Sequence, residues 1–204
     1  HSDELNSVSL ADEDWVNIIN VQEWKRAKRE SHREKIRIGR HSRDQYVKWP
    51  EDKGELLTIY PTAKEYEIYV LGGAKAPKKV LGDLPSNWTV FEFGELHPKD
   101  FLAQLDVFVY YTHPKWVEAF GRVIFEAMAV GVPVIIPPSY EPLFGDAAIY
   151  AEPQAVQAKI EQLMSDQDEY ERQVKSAQAY VENHFGYTKH ASRLEECMHE
   201  ENTQ

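Results

Sequence analysis

The strongest constraint on the fold is a central pattern of apolar run, helix-forming run and apolar run. Residues 107–111 and 132–136 are short and rich in β-branched or aromatic side chains, which is typical of strands buried on both faces. Between them, residues 122–130 are apolar and helix-forming, with Gly121 before and Gly131 after. Glycine is tolerated at a helix N-cap and favoured just beyond its end. The order of these elements predicts a right-handed βαβ unit.

The rest of the chain repeats this alternation. Further strands are predicted at residues 36–40, 66–71, 88–93 and 148–151. Further helices are predicted at 50–60, 77–84 and 98–104, and nearly throughout 153–204 with a break near 184–186. Alternating strands and helices predict an α/β fold, a Rossmann-like doubly wound parallel sheet with C-terminal helices. Ligands bind such sheets outside the carboxyl ends of the strands.

Composition excludes several classes of function. The 204 residues carry 23 Lys and Arg against 34 Asp and Glu, a formal charge of −11, which argues against a nucleic-acid partner. Cys197 is the single cysteine, so we expect no internal disulfide and a reducing, cytoplasmic location. No apolar run reaches the roughly 18 residues of a transmembrane helix, so none is predicted.

The start of the central helix is the candidate binding site. The amides of Gly121, Arg122 and Val123 have no intrahelical acceptors, and with the helix dipole they favour an anion such as a diphosphate. Glu118 lies just before this end, and Glu126 lies about one and a half turns into the helix. Carboxylates placed beside an anion suit sugar hydroxyls, to which they are good acceptors.

This segment resembles the Glu-x(7)-Glu signature of retaining GT-B glycosyltransferases of the group 1 type. Glu118 and Glu126 have that spacing with Phe120-Gly121 between them, and Glu-Ala-Met-Ala-x-Gly-x-Pro-Val follows from Glu126. The resemblance implies that Glu118 is catalytic, contacting donor-sugar hydroxyls near an oxocarbenium-like centre. It implies that Glu126 accepts hydrogen bonds from the ribose. The alternative is a buried helix with two solvated glutamates, which is disfavoured because Glu126 stands among apolar residues.

The same resemblance assigns cations to the diphosphate. Gly39-Arg40 matches the family's Gly-Arg after the first strand, and Lys48 matches a later lysine. Lys48 lies eight residues after Arg40 rather than about six, and Trp49 replaces the usual glycine. Arg43 is therefore an alternative to Lys48. With Gly39, Arg40 and Lys48 at the donor, the resemblance implies no metal ion.

Two further residues have open interpretations. Leu96 follows the third strand, where the family holds the nucleotide base, and it could pack on that base. His113 precedes the predicted carboxylate and invites a catalytic interpretation. However, the family's histidine near the sugar comes from the other domain, so a structural role for His113 is favoured.

These features predict the donor-binding half of a retaining glycosyltransferase, a hexosyltransferase-like enzyme. Residues 1–34 would be the connector from a missing N-terminal domain, and residues 35–204 the donor-binding domain. The donor would be a nucleotide diphosphate sugar, UDP- or GDP-linked, with no other cofactor. The acceptor domain would belong to the same protein and could contact a membrane peripherally, and the isolated chain would be inactive.

Two alternatives remain open from the sequence. One is a non-catalytic nucleotide-binding or interaction subunit of a split enzyme. The other is a sugar-nucleotide epimerase or a phosphorylase on the same fold, although we find no lysine motif for a phosphorylase's pyridoxal site.

Overall fold

The computed structural model describes residues 17–29, 34–116 and 121–201, leaving out the side chains of 197 and 199–201. These ranges form a six-stranded sheet in the order β3-β2-β1-β4-β5-β6, in which every neighbouring pair is parallel. This is the strand order of the Rossmann fold. The predicted fold class, a Rossmann-like doubly wound parallel sheet with C-terminal helices, is therefore confirmed.

The elements alternate along the chain as predicted. The strands are β1 (Ile36–His41), β2 (Tyr66–Leu71), β3 (Trp88–Phe91), β4 (Val107–Val109), β5 (Val134–Ile136) and β6 (Ile149–Tyr150). The helices are α1 (Val21–Trp24), α2 (Lys53–Ile59), α3 (Lys75–Leu81), α4 (Pro98–Leu102), α5 (Arg122–Val130), α6 (Glu141–Phe144), α7 (Val156–Ser165), α8 (Gln167–Phe185) and α9 (Tyr187–Glu201). Single 3₁₀ turns occupy Tyr46–Lys48, Pro138–Tyr140, Gly145–Ala147 and Pro153–Ala155.

Apolar side chains cover both faces of the sheet. On one face, α1, α4, α5 and α8 pack over alternate strand residues such as Phe108 and Val134. On the other face, α2, α3 and α7 pack over the intervening residues, among them Val107 and Ile135. Because the central strands are buried on both sides, their sequences are continuous apolar runs rather than alternating ones.

Two helix boundaries differ from the prediction for the same reason. Pro50 does not open α2; instead the Asp52 side chain accepts from the Glu55 amide at 2.8 Å and caps a helix that begins at Lys53. Asp166 divides the predicted C-terminal helix, because its side chain accepts from the Glu169 amide at 2.9 Å and starts α8. Aspartate at an N-cap stabilises a helix start, so each helix begins directly after its aspartate.

The described part of the connector, residues 17–29, packs on the sheet domain. Ile19 and Val21 are buried in the core beneath α5 and α8. The Arg26 guanidinium donates to the Leu105 and Gly131 carbonyls at 2.8 and 2.6 Å, and to the Tyr170 hydroxyl at 2.8 Å. This segment is thus part of the folded unit, and the domain boundary between residues 34 and 35 stays a prediction. Within the described ranges, no helix has both the length and the apolar character that a membrane crossing requires.

The close approach of α4's end to β1 yields a stability prediction. A Cβ atom added at Gly39 would lie 2.2 Å from Leu105 Cδ1. We expect Gly39→Ala to lower the free energy of unfolding by about 1–3 kcal/mol through overpacking. Leu105→Ala alone should cost about 2–5 kcal/mol because it leaves a cavity.

The double variant Gly39→Ala/Leu105→Ala should cost less than the two single losses added together, because the new methyl group occupies part of the cavity. Urea unfolding of the four proteins measures this coupling. Strictly additive losses would mean that Gly39 is not there to accommodate Leu105.

Candidate functional site

A cavity of about 420 Å³ opens at the carboxyl ends of β1 and β4. These two strands are neighbours in the sheet, and the strand order reverses between them. The crevice at such a reversal is where doubly wound sheets bind ligands. The residues that line the cavity are Ser42, Arg43, Gln45, Lys48, Tyr110, Trp116, Arg122 and Val123.

The N-terminus of α5 forms one wall of this cavity. Gly121 is the N-cap and has left-handed backbone angles, φ 58° and ψ 41°. A Cβ atom there would lie 2.8 Å from Phe144 Cζ, so both the conformation and the packing require glycine. The Gly121 carbonyl accepts from the Ile124 and Phe125 amides. The amides of Arg122 and Val123 belong to the first turn and can bind an anion.

The cavity is locally basic although the chain is acidic. Arg43, Lys48 and Arg122 line it, and the eight lining residues that fall within the described ranges include no carboxylate. The Lys48 ammonium lies 4.2 Å from the centre of the Trp116 ring, a cation–π contact. The structure therefore brings together Lys48, Arg122 and Val123 as predicted and adds Arg43, the alternative that the sequence left open. A phosphate group would meet three positive side chains here.

Arg40 lies behind the cavity rather than in its wall. It is fully buried, and its guanidinium donates to the Lys48 and Tyr111 carbonyls. It also lies 3.6 Å from the Trp49 ring centre. A buried guanidinium requires acceptors, and the segments that follow β1 and β4 each supply one. Arg40 therefore holds the backbone of Lys48, the residue whose side chain is predicted to bind phosphate.

Glu126 lies in the second turn of α5 and is 4 % exposed. Its Oε1 accepts from Arg122 Nε at 2.8 Å, and its Oε2 lies 3.4 Å from His41 Nε2. Burial raises the pKa of the Glu126 carboxyl, and the Arg122 guanidinium opposes this effect. The carboxylate is thus oriented, buried and available to one further partner if Arg122 moves.

His41, the last residue of β1, was not predicted as a site residue. It is 7 % exposed, and burial together with the charges of Arg40 and Arg122 lowers its pKa to about 3. The imidazole is therefore neutral. Its position directly after Gly39-Arg40, at the carboxyl end of a central strand, is the signal that could have identified it.

His113 has a structural role in this arrangement. Its Nε2 lies 2.8 Å from the Tyr46 hydroxyl and 2.9 Å from Glu51 Oε2, and its Nδ1 accepts from the Lys115 amide at 3.1 Å. These contacts join the loop after β1 to the loop after β4. The joined loops carry Lys48 and Trp116, so His113 shapes the cavity without lining it.

Three predicted site residues are placed elsewhere or lie outside the described ranges. Glu118, the predicted catalytic residue, falls in residues 117–120, which are outside the described part of the chain. Gly39 lies within β1 against Leu105, and this packing accounts for the glycine. Leu96 is half-buried against the core that contains α5. Their roles at the donor stay predictions.

The sequence comparisons connect this site to a family. The model of the family "Glycosyl transferases group 1" matches residues 83–180, a segment that includes α5 and the cavity wall it forms. Over these residues the chain is similar to the group 1 glycosyltransferases. The predicted resemblance to the C-terminal domain of a group 1 glycosyltransferase is thereby confirmed. No curated protein matches the chain.

Solved structures share the fold of this domain. HepE of Anabaena, solved with UDP and glucose, has a TM-score of 0.64 and 19% identity over 82% of this chain and 49% of its own. A TarM mutant of S. aureus has a TM-score of 0.65 and 14% identity over 95% of this chain and 41% of its own. This chain thus spans about half or less of those two proteins.

A third structure has nearly the same extent. The C-terminal domain of LpcC, a glycosyl transferase group 1 family protein of Francisella tularensis, has a TM-score of 0.59 and 17% identity. The match covers 83% of this chain and 99% of that domain. The expected architecture, one half of a GT-B fold, is confirmed at the level of the fold.

The buried neutral His41 makes the stability of the domain depend on pH. In the unfolded chain a histidine has a pKa near 6.5, whereas His41 has a folded pKa of about 3. Between these values the unfolded state binds more protons, so stability falls as the pH falls, by up to about 1.4 kcal/mol per pH unit. The raised pKa of Glu126 acts in the opposite direction and offsets part of this loss.

We therefore expect His41→Gln to lose less stability than the wild type when the pH falls from about 7 to about 5. Urea unfolding at several pH values measures the difference. His184→Gln, at an exposed histidine on α8, is the control and should keep the wild-type slope. The same slope in His41→Gln and the wild type would contradict burial of a neutral imidazole.

Proposed function

We propose that this chain is the donor-binding half of a retaining glycosyltransferase, which transfers a sugar from a nucleotide diphosphate sugar to an acceptor held by another domain. The observation that carries the proposal is the cavity at the sheet's reversal point. It combines the N-terminus of a nine-residue helix with Arg43, Lys48 and Arg122. Such a combination favours a diphosphate over a neutral ligand.

The diphosphate would lie against the start of α5. Its oxygens would accept from the Arg122 and Val123 amides, and the Arg43 and Lys48 side chains would neutralise its charge. Negative charge grows on the leaving nucleoside diphosphate as the glycosidic bond breaks, and fixed cations stabilise that charge. With these cations in place, we infer that the reaction needs no metal ion.

The ribose would lie beside Glu126. The Arg122 side chain that now covers this carboxylate is 60% exposed, so it can turn toward the phosphates with little loss of packing. Ribose hydroxyls would then replace its guanidinium at Glu126 Oε1. In this way Arg122 would neutralise the diphosphate and at the same time free Glu126 Oε1 to accept hydrogen bonds from the ribose.

Arg40 would contribute indirectly, by fixing the backbone of Lys48. The guanidinium holds the Lys48 carbonyl, and the Trp49 ring next to it covers the guanidinium face. Gly39 would contribute by letting β1 approach Leu105. Both residues of the Gly-Arg pair would therefore help to place the phosphate-binding loop, and their direct contact with the donor stays a prediction.

The base would lie toward the end of β3, where Leu96 is available to pack against it. The HepE structure contains UDP and glucose, so UDP is the first nucleotide to test, with GDP second. Glu118 would contact the sugar and stabilise the oxocarbenium-like centre. Transfer would retain the anomeric configuration, and the acceptor would come from the other domain across the cleft.

The diphosphate site predicts a specific pattern of affinities. Lys48→Met should weaken UDP binding about tenfold, because it removes one charge-assisted contact of roughly 1.4 kcal/mol. The affinity for uridine, which lacks phosphates, should stay the same. Isothermal titration calorimetry with both ligands measures this, and added EDTA should leave the UDP affinity unchanged.

Lys79→Met is the matched control, since Lys79 is an exposed lysine on α3. It should bind UDP as the wild type does. Equal losses for UDP and uridine in Lys48→Met would show that Lys48 does not face phosphate. Failure of UDP, GDP and ADP to bind at millimolar concentration would refute the donor-site proposal.

Activity is predicted only when both walls of the cleft are present. The isolated chain should transfer no sugar, because much of the acceleration comes from holding donor and acceptor together. The full-length protein should transfer with retention, and Glu118→Gln there should lower turnover by about 10²-fold or more with little change in UDP affinity. A product assay with analysis of the anomeric carbon measures each of these.

Glu171→Gln, at an exposed position on α8, is the control and should keep full turnover. Transfer by the isolated chain would contradict the requirement for a second domain. A full-length protein that binds UDP but transfers no sugar would favour the alternative, a non-catalytic nucleotide-binding subunit.

A further inference from the structure

The Glu126 carboxylate has two neighbours of opposite character. Arg122 binds Oε1 from the surface, with a side chain that is 60% exposed. His41 approaches Oε2 from the interior, at 3.4 Å, with a side chain that is 9% exposed. The first neighbour can leave without disturbing the core, and the second cannot.

The surroundings of His41 fix its ring. Its backbone is part of β1 and pairs with Leu71 of β2. Its ring packs edge-on against Phe108 and Phe101, with centroid distances of 5.7 and 6.3 Å. A histidine held by a central strand and two aromatic rings has one orientation available, and that orientation directs Nε2 toward Glu126.

The Nε2 atom of His41 is buried and has no hydrogen-bond partner within the described residues. A buried polar atom left in this state is costly, and most such atoms in proteins have a partner. Because the imidazole is neutral, Nε2 can carry the proton and donate it in a hydrogen bond. A small rotation of the Glu126 carboxylate toward His41 would satisfy it.

We propose that His41 is a positioning residue for nucleotide binding: its Nε2–H donates to Glu126 Oε2 and holds the carboxylate ready for the two ribose hydroxyls. The inference rests on the proposed nucleotide site. When a ribose replaces Arg122 at Oε1, the guanidinium no longer orients the carboxylate. His41 then supplies the fixed contact, so the remaining lone pairs of Glu126 face the ligand.

The test separates recognition of the ribose from general folding effects. Affinities for UDP and for 2′,3′-dideoxy-UDP are measured by calorimetry on the wild type, His41→Leu and His41→Gln. His41→Leu removes the donor but keeps an apolar side chain of similar size, and it should weaken UDP about tenfold. Its affinity for the dideoxy nucleotide, which lacks both hydroxyls, should equal that of the wild type.

His41→Gln should restore binding to within about threefold of the wild type, because a glutamine amide can present an N–H near the imidazole Nε2 position. His41→Asn has an amide that is too short to reach Oε2, and it should behave like His41→Leu. Because His41→Gln and His41→Asn both introduce a polar amide, comparing them tests the hydrogen bond to Glu126 even if His41→Leu does not fold. Thermal unfolding of each variant reports folding separately.

The proposal also requires that His41 act through Glu126. In a Glu126→Ala background, His41→Leu should cause no additional loss of UDP affinity. An additional tenfold loss there would show that His41 contacts the nucleotide itself, and it would overturn the positioning role. Equal weakening of UDP and dideoxy-UDP in His41→Leu would overturn it as well, because a general packing defect affects both ligands.

The affinities of the wild type distinguish failure of the His41 proposal from failure of the proposed nucleotide site. If it binds UDP well but binds dideoxy-UDP equally well, the donor site stands and the inference about His41 fails. If it binds neither nucleotide, the proposed function itself fails, and the inference fails with it.

Discussion

The burial of α5 from Ile124 to its end is the constraint on which the site depends. Ile124 and every later residue of the helix through Val130 are buried, between β4 and β5 beneath it and α8 above. This packing leaves no freedom for the helix to slide or rotate. Its N-terminus is therefore held at the place in the sheet where the strand order reverses, so the proposed anion site is already assembled before a ligand binds.

Burying that helix beside the end of β1 brings polar groups into the core. The buried polar residues there are Arg40, His41 and Glu126. The cost of burying each one is offset in a different way. Arg40 donates to two loop carbonyls and faces an aromatic ring, while His41 is neutral. Glu126 keeps an exposed partner. Of these three buried groups, the Glu126 carboxylate is the one whose partner, Arg122, is exposed enough to be replaced by a ligand.

Much of this could be predicted because the signals are local. The βαβ unit follows from Gly121, Gly131 and the apolar runs around them, and the motif around Glu126 identified the family. The remaining features depend on packing across the sheet. Whether Arg40 faces a phosphate or the carbonyl of Lys48 is decided by the path of a loop, which no local pattern encodes. That His41 lies beside Glu126 can be recognised only once β1 and α5 are known to be neighbours.

The contacts of Arg26 give α5 a mechanical property. This guanidinium holds the carbonyl beyond the helix's last residue, at Gly131, and its own amide donates to the Val130 carbonyl. The predicted connector thus holds one end of a helix about 13 Å long, and the proposed anion site lies at the other end. Because the helix is packed rigidly against the sheet and α8, the connector and the start of α5 would move as one body if a neighbouring domain were displaced.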